Sequence, residues 1–318
     1  MSVSPDEAKS LEDFIRLMRR SLATFRQLDF YTTLPPNSNL AEDDKYLDGS
    51  KATHPEIHKG GYPLSAYCHH LLGAASDNLA SLLAMISNTS GNDQLHVEAR
   101  RSGPYAVIRA SIEASAQVCW LLTPPSSQQR AVRRMSMWAD EINYKEWAVR
   151  SFDKSSRAVL NHAFDLFDKD HMRPADWHEI HQRAKDQLRR EKKAYKSIAG
   201  GIGGTLGNID NDRKACSFTA ILNSLEGDYT WMHEGGLFAS WQVCSALSHG
   251  KQWGYSAFSS RELIEDLPGQ NTSIYAESIN YINMSNMGTL AVVMLSQAVN
   301  LYKKRSVPPA LVYFSPTL

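Results

Sequence analysis

The chain has 318 residues, 42% of them hydrophobic, which is enough for a sizeable core. Lysine and arginine together number 34, as do aspartate and glutamate, so no net charge draws the whole molecule to nucleic acid or to an acidic membrane. The four cysteines are far apart and form no CxxC pair, which argues against a zinc ribbon and a disulfide framework.

Helical periodicity dominates from the start of the chain. The segment SPDE is a typical helix N-terminus, and apolar residues then recur at helical spacing as far as Phe25. Residues 33–61 are polar and contain several prolines and glycines, so we expect a long surface loop there. A second helix is predicted from near Pro63 to Ile86.

The middle of the chain is also predicted to be helical. A third helix runs from about residue 104 to 122 and stops at two prolines, and a fourth continues, bent or broken, from 127 to about 168. A polar helix begins again near Pro174. The glycine-rich segment GGIGGTLG lacks the lysine of a P-loop and follows a helix instead of a strand, so residues 198–212 are predicted to be a mobile loop.

Helices are predicted for the last third of the chain too, at 218–225, 230–249 and 273–303. Nothing alternates for long at the period of a strand, and no repeat of fixed length is present. The sequence therefore predicts an all-α protein, a multi-helix bundle with long polar connections that forms a single domain over residues 1–318. No apolar leader or membrane-spanning stretch is evident, so we expect a cytoplasmic protein without membrane association.

The third predicted helix carries two charges in an apolar setting. Arg109 and Glu113 are the only charged residues between Ser102 and Ser126, and they lie one helical turn apart. A helix this apolar is expected at the centre of the bundle, so both charges need partners. An ion pair between them could stabilise the core or serve a functional site.

Three arginines, Arg130, Arg133 and Arg134, open the next helix. Cations are unfavourable there because the helix dipole is positive at its N-terminus. The compensating group could be Glu113, an acid on a neighbouring helix or an anionic ligand, and solvation of one or two of the arginines is the alternative. We treat them as candidate ligand-binding residues.

The segment CSALSHGKQWG places a histidine at the end of an uncharged helix. Gly250 follows His249 and suits the left-handed position after a helix C-terminus. His249 is then either a helix cap, where the dipole favours an imidazolium, or a member of a polar pocket with Arg109, Glu113 and the arginines near Arg130.

Basic residues outnumber acidic ones between residues 183 and 196. Four of them are candidate contacts to nucleic acid phosphates: Arg189, Arg190, Lys192 and Lys193. The alternative is a solvated helix face. His178 and His181 could reach one metal ion, but no further ligand is evident, so the sequence predicts neither a metal nor a cofactor.

The pattern RASIEASAQVCWLLTP, followed by RAVRR and later by LSHGKQWG, resembles uncharacterised helical proteins common in actinobacteria over roughly residues 100–255. These are distantly similar to the HEPN superfamily of helical bundles. That superfamily includes metal-independent ribonucleases and toxins of defence systems, usually dimeric, in which an arginine and a histidine of one late helix act on the RNA phosphodiester.

The resemblance implies that His249 is the catalytic histidine. Where the arginine is expected, the chain has Gln242, Val243 and Cys244, so the cation would come from another helix, from Arg109 or Arg133. It further implies RNA as the partner, a homodimer, and Glu113 as the group that orients Arg109. The alternative is a non-enzymatic module that binds a small anionic ligand or a protein.

Overall fold

Helices make up most of the structure, a computed structural model that describes residues 4–26, 34–47, 63–86, 88–89, 95–96, 102–166, 174–201, 216–229, 236–267 and 272–308. The helices in these ranges are α1 (Pro5–Arg26), α2 (Asn39–Tyr46), α3 (Leu64–Ile86), α4 (Gly103–Leu122), α5 (Ser127–Leu166), α6 (Pro174–Gly201), α7 (Phe218–Asp228), α8 (Leu237–Ser248), α9 (Gln252–Phe258) and α10 (Tyr281–Ser306). The strands form two antiparallel pairs, β1 (Asn88–Thr89) with β2 (Leu95–His96) and β3 (Ser259–Leu267) with β4 (Thr272–Ile279). The all-α prediction is confirmed.

The chain divides into two compact units. Unit 1 contains Met1–Ala41, Ala66–Thr123 and Phe218–Leu318, and unit 2 contains Glu42–Ser65 and Pro124–Ser217. The single domain over residues 1–318 stays a prediction.

Helix α4 is central in unit 1. It packs against α7, α8 and α10, and its buried residues lie all around its circumference. This matches the position expected from its apolar sequence. Because α4 carries Arg109 and Glu113, its central position also brings both charges close to the neighbouring helices.

Helices α1 and α10 approach closely at Gly288. A β-carbon added there would lie 2.2 Å from Cζ of Phe14, so only glycine lets this ring rest against the backbone of α10. We expect Gly288→Ala to lower the free energy of unfolding by about 1–3 kcal/mol, because the ring must move to avoid overpacking. Urea unfolding followed by circular dichroism measures this loss.

Gly73 provides the matched control for this prediction. It also lies within a helix, but an added β-carbon would meet nothing within 4 Å. Gly73→Ala is therefore expected to leave stability unchanged or raise it by about 0.4–1 kcal/mol. Equal losses in both variants would contradict the packing argument.

Unit 2 is built on an antiparallel pair of long helices, α5 and α6. Trp138 of α5 packs edge to face on Tyr195 of α6 with ring centroids 5.8 Å apart, and Lys145 Nζ lies 2.8 Å from the Glu191 carboxylate. Helix α5 is continuous from Ser127 to Leu166, so the predicted fourth helix is not broken. The ring contact and the ion pair together fix the register of α6 against α5.

The predicted surface loop at 33–61 contains a helix that was missed. Helix α2 occupies residues 39–46 of it, and the Ser38 hydroxyl accepts a hydrogen bond from the Ala41 N–H in the first turn. Leu40 within α2 and Leu47 just after it are both buried. Two apolar residues are too few to give a helical pattern that stands out in a polar segment. The rest of the predicted loop lies largely outside the described residues.

The predicted helix at 273–303 is wrong at its start. Residues 272–279 form β4, which pairs with β3 along its length, and helix α10 begins at Tyr281 with Asn280 as its N-cap. The Asn280 side chain accepts a hydrogen bond of 2.9 Å from the Asn283 N–H. Strand pairing depends on a partner segment, which a search for local alternation does not detect.

Two other boundaries differ from expectation. Helix α8 begins at Leu237, after Gly236, and residues 230–235 lie outside the described residues. The first part of the predicted mobile loop at 198–212 belongs to α6, where Ile198 and Ala199 are buried. Residues 202–212 lie outside the described residues.

All four cysteines are buried thiols without a disulfide. Burial alone raises the pKa of the Cys119 thiol well above its usual range. Cys68, Cys119 and Cys244 belong to unit 1, and Cys216 belongs to unit 2. Among the described helices, none has the length and apolar character needed to cross a membrane.

Candidate functional site

Helices α4 and α8 bring four side chains of unit 1 together. Arg109 and Glu113 project from α4, and Trp241 and His249 project from α8 and its C-terminal cap. His249 lies 140 positions after Arg109 in the chain, so their meeting depends entirely on the packing of the two helices. We call these four residues the α4–α8 cluster.

The expected ion pair is present. Arg109 Nε donates a hydrogen bond of 2.7 Å to Oε1 of Glu113. The two side chains are only 23% and 17% exposed, so water screens the pair less than at an open surface. The pair fixes the plane of the guanidinium relative to α4.

Trp241 adds a second donor to the same oxygen. Its indole N–H lies 2.9 Å from Glu113 Oε1, and its ring lies beneath the Arg109 guanidinium, 5.6 Å from centroid to Cζ. Phe238 stacks on Trp241 with ring centroids 5.8 Å apart. The sequence did not identify Trp241 as a candidate site residue. The need of an indole N–H for an acceptor when it is buried was the signal that could have linked it to Glu113.

His249 completes the cluster through its side chain. Arg109 Nη1 lies 2.7 Å from His249 Nε2. A guanidinium can only donate, so this hydrogen bond requires a neutral imidazole with its proton on Nδ1.

The backbone of His249 forms a helix cap at the same time. The Lys251 N–H donates to the Ala246 carbonyl at 2.8 Å and the Gly250 N–H donates to the Leu247 carbonyl at 3.3 Å, the two bonds of a Schellman motif. Gly250 has φ +69°, a left-handed conformation that favours glycine. The two interpretations of His249 are therefore compatible, since its backbone caps α8 while its side chain meets Arg109.

Two polar atoms of the cluster remain open. Arg109 Nη2 and Glu113 Oε2 have no hydrogen-bond partner among the described residues. The cluster thus offers an incoming group a cationic donor and an anionic acceptor side by side.

Two other titratable groups of unit 1, the Cys244 thiol and the Tyr105 hydroxyl, stay protonated at neutral pH. Burial raises the pKa of the Cys244 thiol to about 12, although the charge of Arg109 opposes the rise. Burial also raises the pKa of the Tyr105 hydroxyl, and the charges of Cys244, Tyr255 and Tyr281 add to that rise. Neither group can act as a base near pH 7.

Arg130 lies in unit 2 and uses all its donors within the protein. Nε and Nη2 each donate 2.7 Å bonds to the two oxygens of Asp43. The remaining donors bond to the carbonyls of Pro124 and Pro125 and to the Ser127 hydroxyl. A guanidinium has five N–H groups, and all are occupied. Of the compensating groups expected for Arg130, an acid on a neighbouring helix is the one observed.

The other two arginines of this group differ in exposure. Arg134 is buried, and its Nη1 lies 3.9 Å from a carboxylate oxygen of Glu141. Arg133 is half-buried. A ligand-binding role for the three arginines stays a prediction, and the occupied donors of Arg130 give that residue a structural role.

The basic residues of α6 are not equivalent. Arg189 Nη1 lies 3.0 Å from Asp186, and Lys192 Nζ lies 2.7 Å from Glu146 of α5. Arg190 and Lys193 are exposed. Contact of these four residues with nucleic acid stays a prediction.

No group of metal ligands is found in the part of the chain that the structure describes. His181 Nε2 lies 3.4 Å from the Val149 carbonyl oxygen, and the side chain of His178 lies outside the described residues. Comparisons of the chain with protein-family models, with curated proteins and with solved structures found no match. The similarity to the HEPN superfamily therefore stays a prediction.

Proposed function

We propose that the protein is a metal-independent ribonuclease whose active site is formed by Arg109, Glu113 and His249. The observation that carries the proposal is the 2.7 Å hydrogen bond between Arg109 Nη1 and His249 Nε2. The positions of α8 where the cation is expected hold Gln242, Val243 and Cys244, and Arg109 of α4, which contacts His249, would supply the cation instead. The proposed partner is RNA, and the proposed location of the protein is the cytoplasm.

Arg109 would bind the scissile phosphate. Its Nε is held by Glu113, while Nη2 is open, so the guanidinium can contact a phosphate oxygen without losing its orientation. A preorganised donor of this kind stabilises the extra charge that phosphorus gains in the transition state. Trp241 and Glu113 are positioning residues in this scheme, because they act through Arg109.

His249 would act as the general base. A neutral imidazole can take the proton of the ribose 2′-hydroxyl once the phosphate draws the Arg109 N–H away from Nε2. The 2′-oxygen then attacks phosphorus and the bond from phosphorus to the 5′-oxygen breaks. The products are a 2′,3′-cyclic phosphate and a 5′-hydroxyl, whose proton comes from water, and the imidazolium returns its proton to water.

The test is incubation of purified protein with end-labelled RNA in EDTA. We expect cleavage that leaves 2′,3′-cyclic phosphate ends, and a rate about 10²–10³-fold lower for Arg109→Ala purified in parallel. Equal cleavage by both proteins would indicate a contaminating nuclease and contradict the proposal.

Absence of cleavage by the parent protein would overturn the ribonuclease assignment. Stabilisation of the parent protein by small phosphate diesters, lost in Arg109→Ala, would then make the α4–α8 cluster an anion-binding site without chemistry.

A further inference from the structure

A straight row of cations follows α6 in unit 2. Four basic residues recur at intervals of four, three and four positions and therefore fall on one side of the helix: Lys185, Arg189, Lys192 and Lys196. At 1.5 Å per residue, the row is about 16 Å long. We call these four residues the α6 stripe.

The stripe borders α5, with Arg189 and Lys196 exposed and Lys185 and Lys192 half-buried. Lys192 reaches Glu146 of α5, and Arg150 pairs with the same carboxylate group at 2.7 Å. Arg150 and Arg189 are exposed over 72% and 74% of their side chains. Arg150, Lys192 and Arg189 share the two carboxylates of Glu146 and Asp186, so these five side chains together carry a positive charge.

Arg183 and Arg190 lie on the other side of the same helix. A residue on an α-helix is rotated by about 100° from the preceding one, which separates Arg190 from Arg189 and Lys196. Arg190 was grouped with the candidate nucleic acid contacts on the basis of sequence proximity alone. The geometry of the helix removes it from the stripe.

From these observations we propose that the α6 stripe binds the sugar–phosphate backbone of a nucleic acid strand. The stripe is straight and about as long as several consecutive phosphates of one strand. A membrane surface fits less well, because the apolar residues of α6 from Leu188 to Ala199 are buried and this part of the helix leaves no apolar face to insert beside the cations. Because the α6 stripe would contact phosphates and not bases, its binding is expected to show no sequence preference.

This inference extends the proposed ribonuclease function by naming a surface that holds the substrate strand. Its test uses 2′-O-methyl RNA, which has no free 2′-hydroxyl and cannot be cleaved by the proposed reaction. Binding to the stripe and cleavage at the α4–α8 cluster are thereby measured separately, and either can fail alone.

Two double variants give a matched comparison. Arg189→Gln with Lys196→Gln removes two charges from the stripe, and Arg183→Gln with Arg190→Gln removes two charges from the other side of the helix. Each pair contains one residue with an ion-pair partner on α6, Asp186 for Arg189 and Glu179 for Arg183. Both variants therefore have the same net charge, and both change residues of α6 only.

The stripe variant is expected to bind a single-stranded 2′-O-methyl RNA about tenfold more weakly at low salt, and the slope of log K against log salt is expected to fall by about 1.4. The control variant is expected to change affinity by less than about twofold. Single-stranded DNA of the same sequence should bind nearly as well as the RNA, since the stripe contacts phosphates.

Equal weakening in both variants would overturn the proposal, because net charge and not the stripe would then decide binding. Absence of binding by the parent protein would also overturn it, as would binding to phosphatidylserine vesicles in place of RNA. Stripe-dependent binding without any cleavage would support the stripe and leave the ribonuclease assignment contradicted by its own test.

Discussion

Asp43→Asn is expected to lower the free energy of unfolding of unit 2 by about 3–5 kcal/mol. Asp43 and Arg130 are 0% and 1% exposed, and the carboxylate receives two hydrogen bonds of 2.7 Å from the guanidinium. The amide of asparagine is neutral and can accept only one of them. The variant therefore leaves a buried charge without its counter-ion, which costs far more than the loss of an exposed pair.

The adjacent Asp44 is a control of the same size and charge. Its carboxylate accepts a 3.0 Å hydrogen bond from the N–H of Ser65 at the start of α3, and it is half-buried. Burial raises the pKa of Asp44, although hydrogen bonds from Ser65 act in the opposite direction. The folded state thus holds this proton more tightly than the unfolded state, so ionisation of Asp44 as the pH rises disfavours folding.

Asp44→Asn removes that penalty while keeping an acceptor for Ser65. We therefore expect it to change stability at pH 7 by less than about 1 kcal/mol in either direction. Urea unfolding of both variants, followed by tryptophan fluorescence and circular dichroism, measures the difference. Similar losses for Asp43→Asn and Asp44→Asn would show that the Asp43–Arg130 pair does not carry the stability assigned to it.

His249→Ala is expected to lower the rate of RNA cleavage by about 10²–10⁴-fold, the range of a general base. Stability should change by less than about 1 kcal/mol, because the cap of α8 is made by backbone groups and Gly250, which the variant keeps. Single-turnover rates in EDTA and the urea midpoint measure the two effects.

Gly250→Ala is the matched variant for the cap. A side chain at φ +69° costs about 1–2 kcal/mol, so stability falls while the His249 imidazole is still present. If His249→Ala instead lost helicity and Gly250→Ala lost all cleavage, His249 would be a cap residue without a chemical role.

Helical periodicity was sufficient to predict most of the fold. Helices α1, α3 and α4 bury long apolar faces, so their patterns extend over several turns and their bounds differ from the prediction by only a few residues. The β3–β4 pair was missed because each strand depends on its partner. Helix α2 was missed because two buried leucines in a polar segment give a weak signal.

The candidate site was predictable only in part, from charge and glycine placement and not from helical periodicity. Charge in the apolar helix α4 indicated Arg109 and Glu113, and the glycine after the uncharged helix α8 indicated His249. Their contact depends on how two helices far apart in the chain pack, which no local pattern encodes. For Trp241, the second donor to Glu113, the only signal was the general need of an indole N–H for an acceptor, and that need does not identify which acceptor is in reach.

The buried thiols make the opening of each unit visible to a chemical reagent. A thiol that is buried and held in its protonated form reacts with an alkylating agent only after its surroundings unfold. Cys216 reports on unit 2, and Cys68, Cys119 and Cys244 report on unit 1. A single alkylation rate for all four cysteines would mean that the two units open cooperatively, and two rates would mean that each opens by itself. The native cysteines thus provide a measure of cooperativity between the units without any engineered probe.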